Sequence, residues 1–341
     1  MKKYIIISLI TIFSVSLKAQ NQELLRAYKD SIKQYSSKIM KMPTDEELSK
    51  ISAKIQKFCI KFINQEKSIE YNMDDLKLVK VLTSSDKKIR FFTWVLPFSN
   101  KENAYKGIVQ TYSKSKKDFL YFILNDKGDR LRYSQNKNLS PKKWLGAYYY
   151  KIIETKKGKK RFYTLLGWRG VSKTIQSKVV EVATLRSNGN LSFGYNIFDI
   201  TGYEYFGKGN KSSKRLIFKF STQGNMYLNY DYQTIIIKKT KTSTSRKKQT
   251  YKPGFNAQNG PKKEKVKIKT IKSNMIVMDR LVPTSPQMID FYEFYYPESN
   301  IIDALLWKGN KWVYFPDIDA RNKAEENQRK PHKIEYDLIP K

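Results

Sequence analysis

The feature that most constrains this chain is a hydrophobic repeat of two residues, which begins near Leu76 and continues through most of the remaining length. Such a period places successive side chains on opposite faces of a sheet, so it predicts strands. The strand-like runs lie at 76–82, 89–96, 106–112, 118–124, 147–154, 161–168, 178–186, 191–198, 215–221, 226–237, 274–281, 302–307 and 311–315. The chain is therefore predicted to be mainly β.

Short turns separate many of these runs. Asn188-Gly189 and Gly309-Asn310 place Gly or Asn where a tight hairpin requires positive φ, and consecutive hairpins predict an antiparallel meander. Residues 91–95 and 163–166 are apolar on both faces, so we predict that they form central strands. We expect the meander to form a sandwich, an open barrel or a small propeller-like body.

The last of these turns also predicts a register. A two-residue loop at Gly309 and Asn310 pairs Lys308 with Lys311 and places Trp307 opposite Trp312. The two indole rings are therefore predicted to meet on one face of the hairpin.

A helical period precedes the β region. Residues 22–42 and 44–67 carry apolar residues at helical spacing, and Thr44 with Glu47 has the pattern of a capping box. We expect the two helices to pack as an N-terminal cover on the β body, which gives α+β content overall. Cys59 is the only cysteine, so no intramolecular disulfide can form, and its apolar neighbours predict a buried thiol.

Residues 1–19 have the three-part pattern of a secretory signal peptide. Lys2 and Lys3 precede an apolar run over 4–13, and the small residue Ala19 stands before Gln20. The run is shorter than the roughly 20 residues that a spanning helix needs. We therefore predict export to the periplasm or the cell surface, with no transmembrane span in the mature chain.

These patterns divide the chain into a signal peptide (1–19), an N-terminal helical segment (20–70), an antiparallel β domain (75–320) and a polar tail (321–341). A basic stretch at 238–272 interrupts the β pattern and is too polar to order itself by burial. We expect it to form a flexible insert, either a long loop or a protruding hairpin.

The chain is strongly basic, with 66 Lys and Arg against 31 Asp and Glu and a formal net charge of +35. This charge attracts polyanions, and since most of the cations are Lys, we expect attraction without geometric specificity. Drift in composition is the alternative explanation of the charge. The candidate polyanion-binding residues are the cations of the insert, Arg246, Lys247, Lys248, Lys262, Lys263 and Lys265.

Four segments of the chain resemble a secreted bacterial family with no characterised activity. They are LGAYYYKIIETKKGKKRFYTLLGWRG (145–170), RLIFKFS (215–221), MIVMDRLVP (275–283) and LLWKGNKWVYFPDIDARN (305–322). The resemblance covers roughly 75 to 320 and implies export and a shared β body, but no activity. In that family a short turn separates the strands at 226–231 and 275–281, so the basic stretch of this chain is interpreted as an insertion.

The sequence excludes several classes of enzyme. His332 is the only histidine, so a Ser-His-Asp centre, a Cys-His centre and an ordinary zinc site lack their residues. No GxxxxGK[ST] phosphate loop occurs, and we predict no cofactor and no metal. A carboxylate pair, as used in glycoside hydrolysis, stays open. The candidates are Asp199, Glu204, Asp279, Asp317 and Asp319, of which Asp199 and Asp279 also suit strand ends, where they would accept backbone hydrogen bonds.

Dense aromatic clusters allow two interpretations. The rings either fill the core and form cross-strand pairs, which we favour, or make a platform for sugars. They are Tyr148, Tyr149, Tyr150, Tyr203, Tyr205, Phe206, Tyr295 and Tyr296.

Our leading hypothesis is a non-enzymatic envelope or surface protein. Its basic face would associate with anionic lipid, anionic polysaccharide or extracellular nucleic acid. The alternatives are a carbohydrate-active hydrolase that uses an Asp/Glu pair and a component of an envelope protein assembly.

Overall fold

The computed structural model is mostly β, with 46% of its residues in strands and 24% in helices. It describes residues 2–41, 43–100, 102–131, 133–206, 213–241 and 265–318. An N-terminal helical pair precedes a series of antiparallel sheets, so the predicted fold class is confirmed.

The helices are α1 (Lys2–Ser37) and α2 (Asp45–Ile63). The strands in chain order are β1 (Lys80–Thr83), β2 (Ile89–Pro97), β3 (Asn103–Ser113), β4 (Asp118–Asn125), β5 (Tyr148–Lys157), β6 (Lys160–Gly170), β7 (Ile175–Leu185), β8 (Leu191–Phe193), β9 (Phe198–Asp199), β10 (Leu216–Ser221), β11 (Leu228–Lys241), β12 (Lys265–Pro283), β13 (Tyr295–Trp307) and β14 (Trp312–Phe315).

Helix α2 begins with the predicted capping box. The Glu47 backbone N–H donates to the Thr44 hydroxyl, and the Glu47 carboxylate accepts from the Thr44 backbone N–H. The apolar side of α2 is buried, and Cys59 within it is fully inaccessible, so the predicted buried thiol is confirmed. Burial raises the pKa of this thiol well above its usual value. No helix in the described part of the chain has an apolar stretch long enough to cross a bilayer.

The strands form three sheets. The first has the order β1-β2-β3-β4, the second has the order β10-β7-β6-β5 with β8 also paired to β7, and the third has the order β11-β12-β13-β14-β9. All pairings between these strands are antiparallel except β14 with β9, which is parallel. Strands β2 and β6, which contain the two segments that are apolar on both faces, lie inside their sheets as predicted.

The helices and the three sheets stack as four layers. Phe92 of β2 packs with the helices, whereas its neighbour Phe91 packs with the second sheet. In β6, Leu165 faces the first sheet and Leu166 faces the third. Each sheet in the middle of the stack therefore buries both faces, and of the predicted architectures the stack agrees with a sandwich, extended to three sheets.

The predicted run at 191–198 is not one strand but two, β8 and β9, and the break falls at Gly194. This residue has φ +86°, and a Cβ atom there would lie 2.7 Å from Arg215 Nη2 and 2.8 Å from the Lys137 carbonyl oxygen. The close approach of Arg215 thus requires glycine and ends β8.

The ends of the basic stretch continue the strand pairing. Strands β11 and β12 pair out to Lys241 opposite Lys265, so these parts of 238–272 form the two arms of a hairpin.

The last hairpin has the predicted register. Trp307 lies opposite Trp312, and the Lys308 backbone N–H donates to the Lys311 carbonyl over 2.9 Å. The ring centroids are 5.4 Å apart with an interplanar angle of 64°, so the two indoles meet edge to face.

Candidate functional site

A cleft of about 1120 Å³ lies beside the second sheet. One side is formed by Val179 of β7 and Ile217 of β10, which belong to the face of that sheet turned toward the first sheet. The other sides come from the connection between β4 and β5, from the turn between β6 and β7, and from two short helical turns that carry Phe206 and Tyr292. The site is thus assembled from segments far apart in the sequence.

Three cations line this cleft without an ion-pair partner among the described residues. They are Arg130, which ends a helical turn after β4, Lys173 in the turn after β6, and Lys219 on β10. The Lys219 ammonium lies 5.1 Å from the centre of the Tyr292 ring, a cation–π distance. These cations are therefore available to an anion.

A fourth cation of the cleft, Arg169, is already used by the fold. Its Nη1 atom donates to the Asp126 carboxylate and to the Gly146 carbonyl, each over about 3.0 Å. A Cβ atom at Gly128 would lie 2.6 Å from the guanidinium carbon, so this glycine makes room for the arginine. Arg169 therefore shapes the cleft and holds the chain that follows β4 against the second sheet.

The aromatic residues of the cleft fall into two groups. The Tyr205 hydroxyl accepts from the Lys219 backbone N–H and donates to the Lys219 carbonyl, and burial raises the pKa of this hydroxyl well above its usual value. Tyr205 and Phe206 also pack on Phe218, in agreement with the predicted core role. Tyr133, by contrast, is 74% exposed and stands at the cleft with φ +52°, where its ring is open to a ligand.

Two carboxylates, Glu102 and Asp290, line the same cleft. Neither carboxylate has a hydrogen-bond or ion-pair partner in the part of the chain that the structure describes, and neither was a candidate from the sequence. The cleft therefore combines free cations, an exposed ring and two acids.

The chain matches no protein-family model, no curated protein and no solved structure. Its function is therefore inferred from the geometry of the molecule itself.

The carboxylates proposed from the sequence lie elsewhere. Asp199 ends β9 as expected and accepts from the Thr201 backbone N–H and hydroxyl. Asp279 accepts the Tyr227 backbone N–H over 2.7 Å as expected, but it lies inside β12, where the register with β13 shifts, and not at a strand end. Glu204 and Asp317 do not line this cleft, and Asp319 lies outside the described residues. Within the described ranges, no three His, Cys, Asp or Glu side chains are grouped so as to hold a metal ion.

The predicted polyanion-binding residues lie almost entirely outside the described residues. Only Lys265 falls within them, as the first residue of β12, opposite Lys241. The others are Arg246, Lys247, Lys248, Lys262 and Lys263.

The cations of the cleft were missed by the sequence analysis. Arg130, Lys173 and Lys219 stand in unrelated local contexts, and a chain with 66 Lys and Arg offers no local signal that selects these three. Only the packing of the β4–β5 connection and the β6–β7 turn around β10 brings them together.

Proposed function

We propose that the protein is an exported, non-enzymatic binding protein that associates with anionic material of the cell envelope. The ligand class is a polyanion, such as anionic lipid headgroups, anionic polysaccharide or extracellular nucleic acid. The observation that supports this proposal best is the cleft beside the exposed Tyr133 ring, where Arg130, Lys173 and Lys219 have no ion-pair partner among the residues that the structure describes.

Charge acts at two ranges in this proposal. The net charge of +35 attracts polyanions over distances of about a Debye length, roughly 8–10 Å at physiological salt. The cleft then holds a segment of the ligand at short range, where an aromatic ring adds stacking on a sugar or a base. The basic stretch at 238–272 adds further cations.

Export is part of the proposal and rests on the residue pattern of 1–19. It places the protein in the periplasm or at the cell surface, where anionic polymers of the envelope are accessible. Mass spectrometry of the exported protein should find an N-terminus within a few residues of Gln20. An intact Met1 on most of the mature protein would contradict export.

The binding proposal is tested by salt titration with duplex DNA, anionic lipid vesicles and an anionic polysaccharide. Replacing Arg130, Lys173 and Lys219 by Ser should weaken binding and make the slope of log affinity against log salt shallower, by about 0.9 for each phosphate of duplex DNA that the variant no longer neutralises. A matched control replaces three exposed lysines away from the cleft, Lys54, Lys57 and Lys151, and removes the same charge.

A second variant tests the basic stretch at 238–272, with Ser at Arg246, Lys247, Lys248, Lys262, Lys263 and Lys265. It should also weaken binding and flatten the slope, with little effect on folding because surface substitutions usually stay within about 0.5 kcal/mol each. If both variants keep the wild-type slope, or if the control loses as much affinity as the cleft variant, the proposed sites are wrong.

The alternative function, a carbohydrate-active hydrolase, is favoured by one observation, the presence of Glu102 and Asp290 in the same cleft. Glycosidases use two carboxylates about 5–10 Å apart. The measurement is release of reducing ends from envelope polysaccharides. Glu102→Gln and Asp290→Asn should each abolish it, whereas Asp199→Asn, outside the cleft, should not. If the unmodified chain releases no reducing ends, the hydrolase alternative is wrong and binding stays the proposed function.

A further inference from the structure

Strand β4 is an edge of the first sheet, and the direction of its backbone groups follows from two hydrogen bonds. The Asn125 carbonyl accepts the Trp144 backbone N–H, and the Lys127 backbone N–H donates to the Trp144 carbonyl, both on the side away from β3. Along a strand the N–H and C=O of every second residue point to the same side. Those of Phe119, Tyr121 and Ile123 therefore point out of the sheet, and those of the residues between them pair with β3.

This stretch of the edge has no backbone partner in the described part of the chain. The helical turn Pro141–Lys143 runs beside the last residues of β4, and Trp144 bonds to the strand end at Asn125. At the other end the Phe119 N–H bonds to the Asp118 carboxylate. The Phe119 carbonyl and both backbone groups of Tyr121 and Ile123 are thus free to pair with another strand.

The side chains at the same positions are apolar and accessible. Tyr121 and Ile123 are each 40% exposed, and Phe119, two residues earlier, is half-buried against Tyr112 with ring centroids 5.2 Å apart. An exposed apolar edge strand of this kind is a template for strand addition, which native proteins usually block with charged residues or proline in the strand. Between Phe119 and Leu124 this strand has neither.

The ends of the free edge are basic. Exposed Lys116 and Lys117 precede β4, exposed Lys127 follows it, and exposed Lys106 lies opposite Asn125 on β3. A second copy of the chain pairing here would bring these cations against its own, in a molecule of net charge +35. Charge complementarity instead favours an acidic partner.

We propose that the free edge of β4 is a docking site for an extended segment of another protein, in which apolar residues alternate with acidic ones. The segment adds to the first sheet as a fifth strand. Its backbone pairs with Tyr121 and Ile123, its apolar side chains cover those of Phe119 and Tyr121, and its acids approach the lysines at the two ends. This site is separate from the cleft and does not depend on binding of a polyanion.

The chain itself supplies a probe with this pattern. Residues 333–340, KIEYDLIP, alternate Ile, Tyr and Leu with Glu and Asp. A fluorescent synthetic peptide of this sequence is titrated against the mature chain and against a chain that ends at His332, and binding is followed by anisotropy. Hydrogen exchange of the Tyr121 and Ile123 amides is measured in parallel and should slow when the peptide is bound.

Two substitutions separate backbone pairing from side-chain contact. Tyr121→Pro removes an outward N–H and leaves the pairing with β3 intact, so we expect the fold to be retained and peptide affinity to fall about tenfold or more. Tyr121→Val keeps the backbone groups in a residue suited to strands and should lose no more than about threefold. Replacing Glu and Asp of the peptide by Ser should weaken binding and remove most of its salt dependence.

Three outcomes would overturn the proposal. They are no binding of the peptide to either chain, equal affinity for the wild-type chain and Tyr121→Pro with unchanged amide exchange, and binding only to the chain that ends at His332. The last result would assign the edge to the tail of this chain rather than to another protein.

Discussion

Two interfaces hold the three sheets together, and both bury many aromatic rings. The interface between the first and second sheets, the charged interface, also encloses a fully buried ion pair, whereas the interface between the second and third sheets, the aromatic interface, encloses no fully buried pair among the described residues. The difference determines how each interface responds to a substitution and which of them positions the cleft.

The charged interface depends on a buried ion pair. Glu181 and Arg215 are both fully inaccessible, and Arg215 Nε donates to the Glu181 carboxylate over 2.8 Å. Arg215 also donates to the Ser134 and Lys137 carbonyls. Burial raises the pKa of Glu181 above its usual range in spite of this neighbour. Because Tyr133 and Ser134 line the cleft, the ion pair supports one of its sides.

A second set of polar contacts closes the rim of the same interface. The Glu154 carboxylate of β5 accepts from the Ser85 hydroxyl and the Asp86 backbone N–H, both in the turn between β1 and β2. The Tyr163 hydroxyl of β6 donates to Asp86 over 3.0 Å. The first sheet is thus held in one orientation on the second.

The aromatic interface has fewer directional contacts. Tyr203 stacks on Tyr314 with ring centroids 4.4 Å apart, and the buried Trp312 donates through Nε1 to the Thr164 hydroxyl over 3.1 Å. A buried cation of this interface, Lys178 of β7, lies 5.2 Å from the centre of the Tyr150 ring. The buried Asp303 accepts from Arg280 and from the Tyr314 hydroxyl, but these contacts lie within the third sheet. Apolar and aromatic packing therefore joins the third sheet to the second.

The largest expected effect is at the centre of the aromatic interface. Trp312→Ala removes a fully buried indole, which costs about 3–5 kcal/mol, and the edge-to-face contact with Trp307, which adds about 0.5–1.5 kcal/mol. Urea unfolding of the variant measures the loss. Trp307→Ala, at a partly exposed ring, is the matched control and should lose less. Equal losses at the two positions would show that Trp312 is not the anchor of this interface.

A slightly smaller loss is expected in the charged interface. Glu181→Gln leaves Arg215 buried without an opposite charge and should cost about 3–5 kcal/mol of unfolding free energy. The double variant Glu181→Leu with Arg215→Met removes both charges and should recover part of this loss. The single variants Glu181→Leu and Arg215→Met complete the cycle, and a loss in the double variant equal to the sum of their losses would show that the pair is not coupled.

The Glu181→Gln variant also tests which of the two interfaces supports the cleft. Because Arg215 bonds to the Ser134 carbonyl, disturbing the pair should also weaken ligand binding in the cleft. Trp312→Ala, measured under conditions in which it is folded, should leave cleft binding within about twofold. The reverse result would assign the support of the cleft to the aromatic interface.

The smallest expected effect is a gain in stability, at Lys178, rather than a loss. Burial lowers the pKa of Lys178 to about 8, from an ordinary value of 10.5, and the opposing charge of Asp279 offsets this only in part. Between about pH 8 and pH 10.5 the unfolded chain therefore binds more protons than the folded chain, so stability rises with pH in this window. Below about pH 8 the buried charge of Lys178 lowers the free energy of unfolding by its full amount. Lys178→Met should stabilise the protein at pH 7 by about 1–3 kcal/mol.

The measurement is the difference in unfolding free energy between the wild-type chain and Lys178→Met at pH 7, 8 and 9. The stabilisation should shrink as pH rises, because the lysine of the wild-type fold loses its proton. A constant difference across this range, or a loss of stability at pH 7, would contradict the penalty.

Local chemistry determined much of the fold. The continuous apolar run in β2 predicted a strand buried on both faces, the capping pattern at Thr44 predicted the start of α2, and the turn at Gly309 predicted Trp307 opposite Trp312. Each of these features depends on residues close together in the chain. Backbone sterics and side-chain spacing decide such features before any distant segment arrives.

The tertiary structure decided the rest. The break at Gly194 depends on Arg215, the parallel pairing of β9 with β14 joins Phe198 to Trp312, and the cleft needs the connection after β4 to pack beside β10. In these cases the partners are separated by tens of residues or more, and many lysines could have filled the same positions. The order of the layers selects which of them meet, because burial and packing act on the whole stack rather than on any one segment.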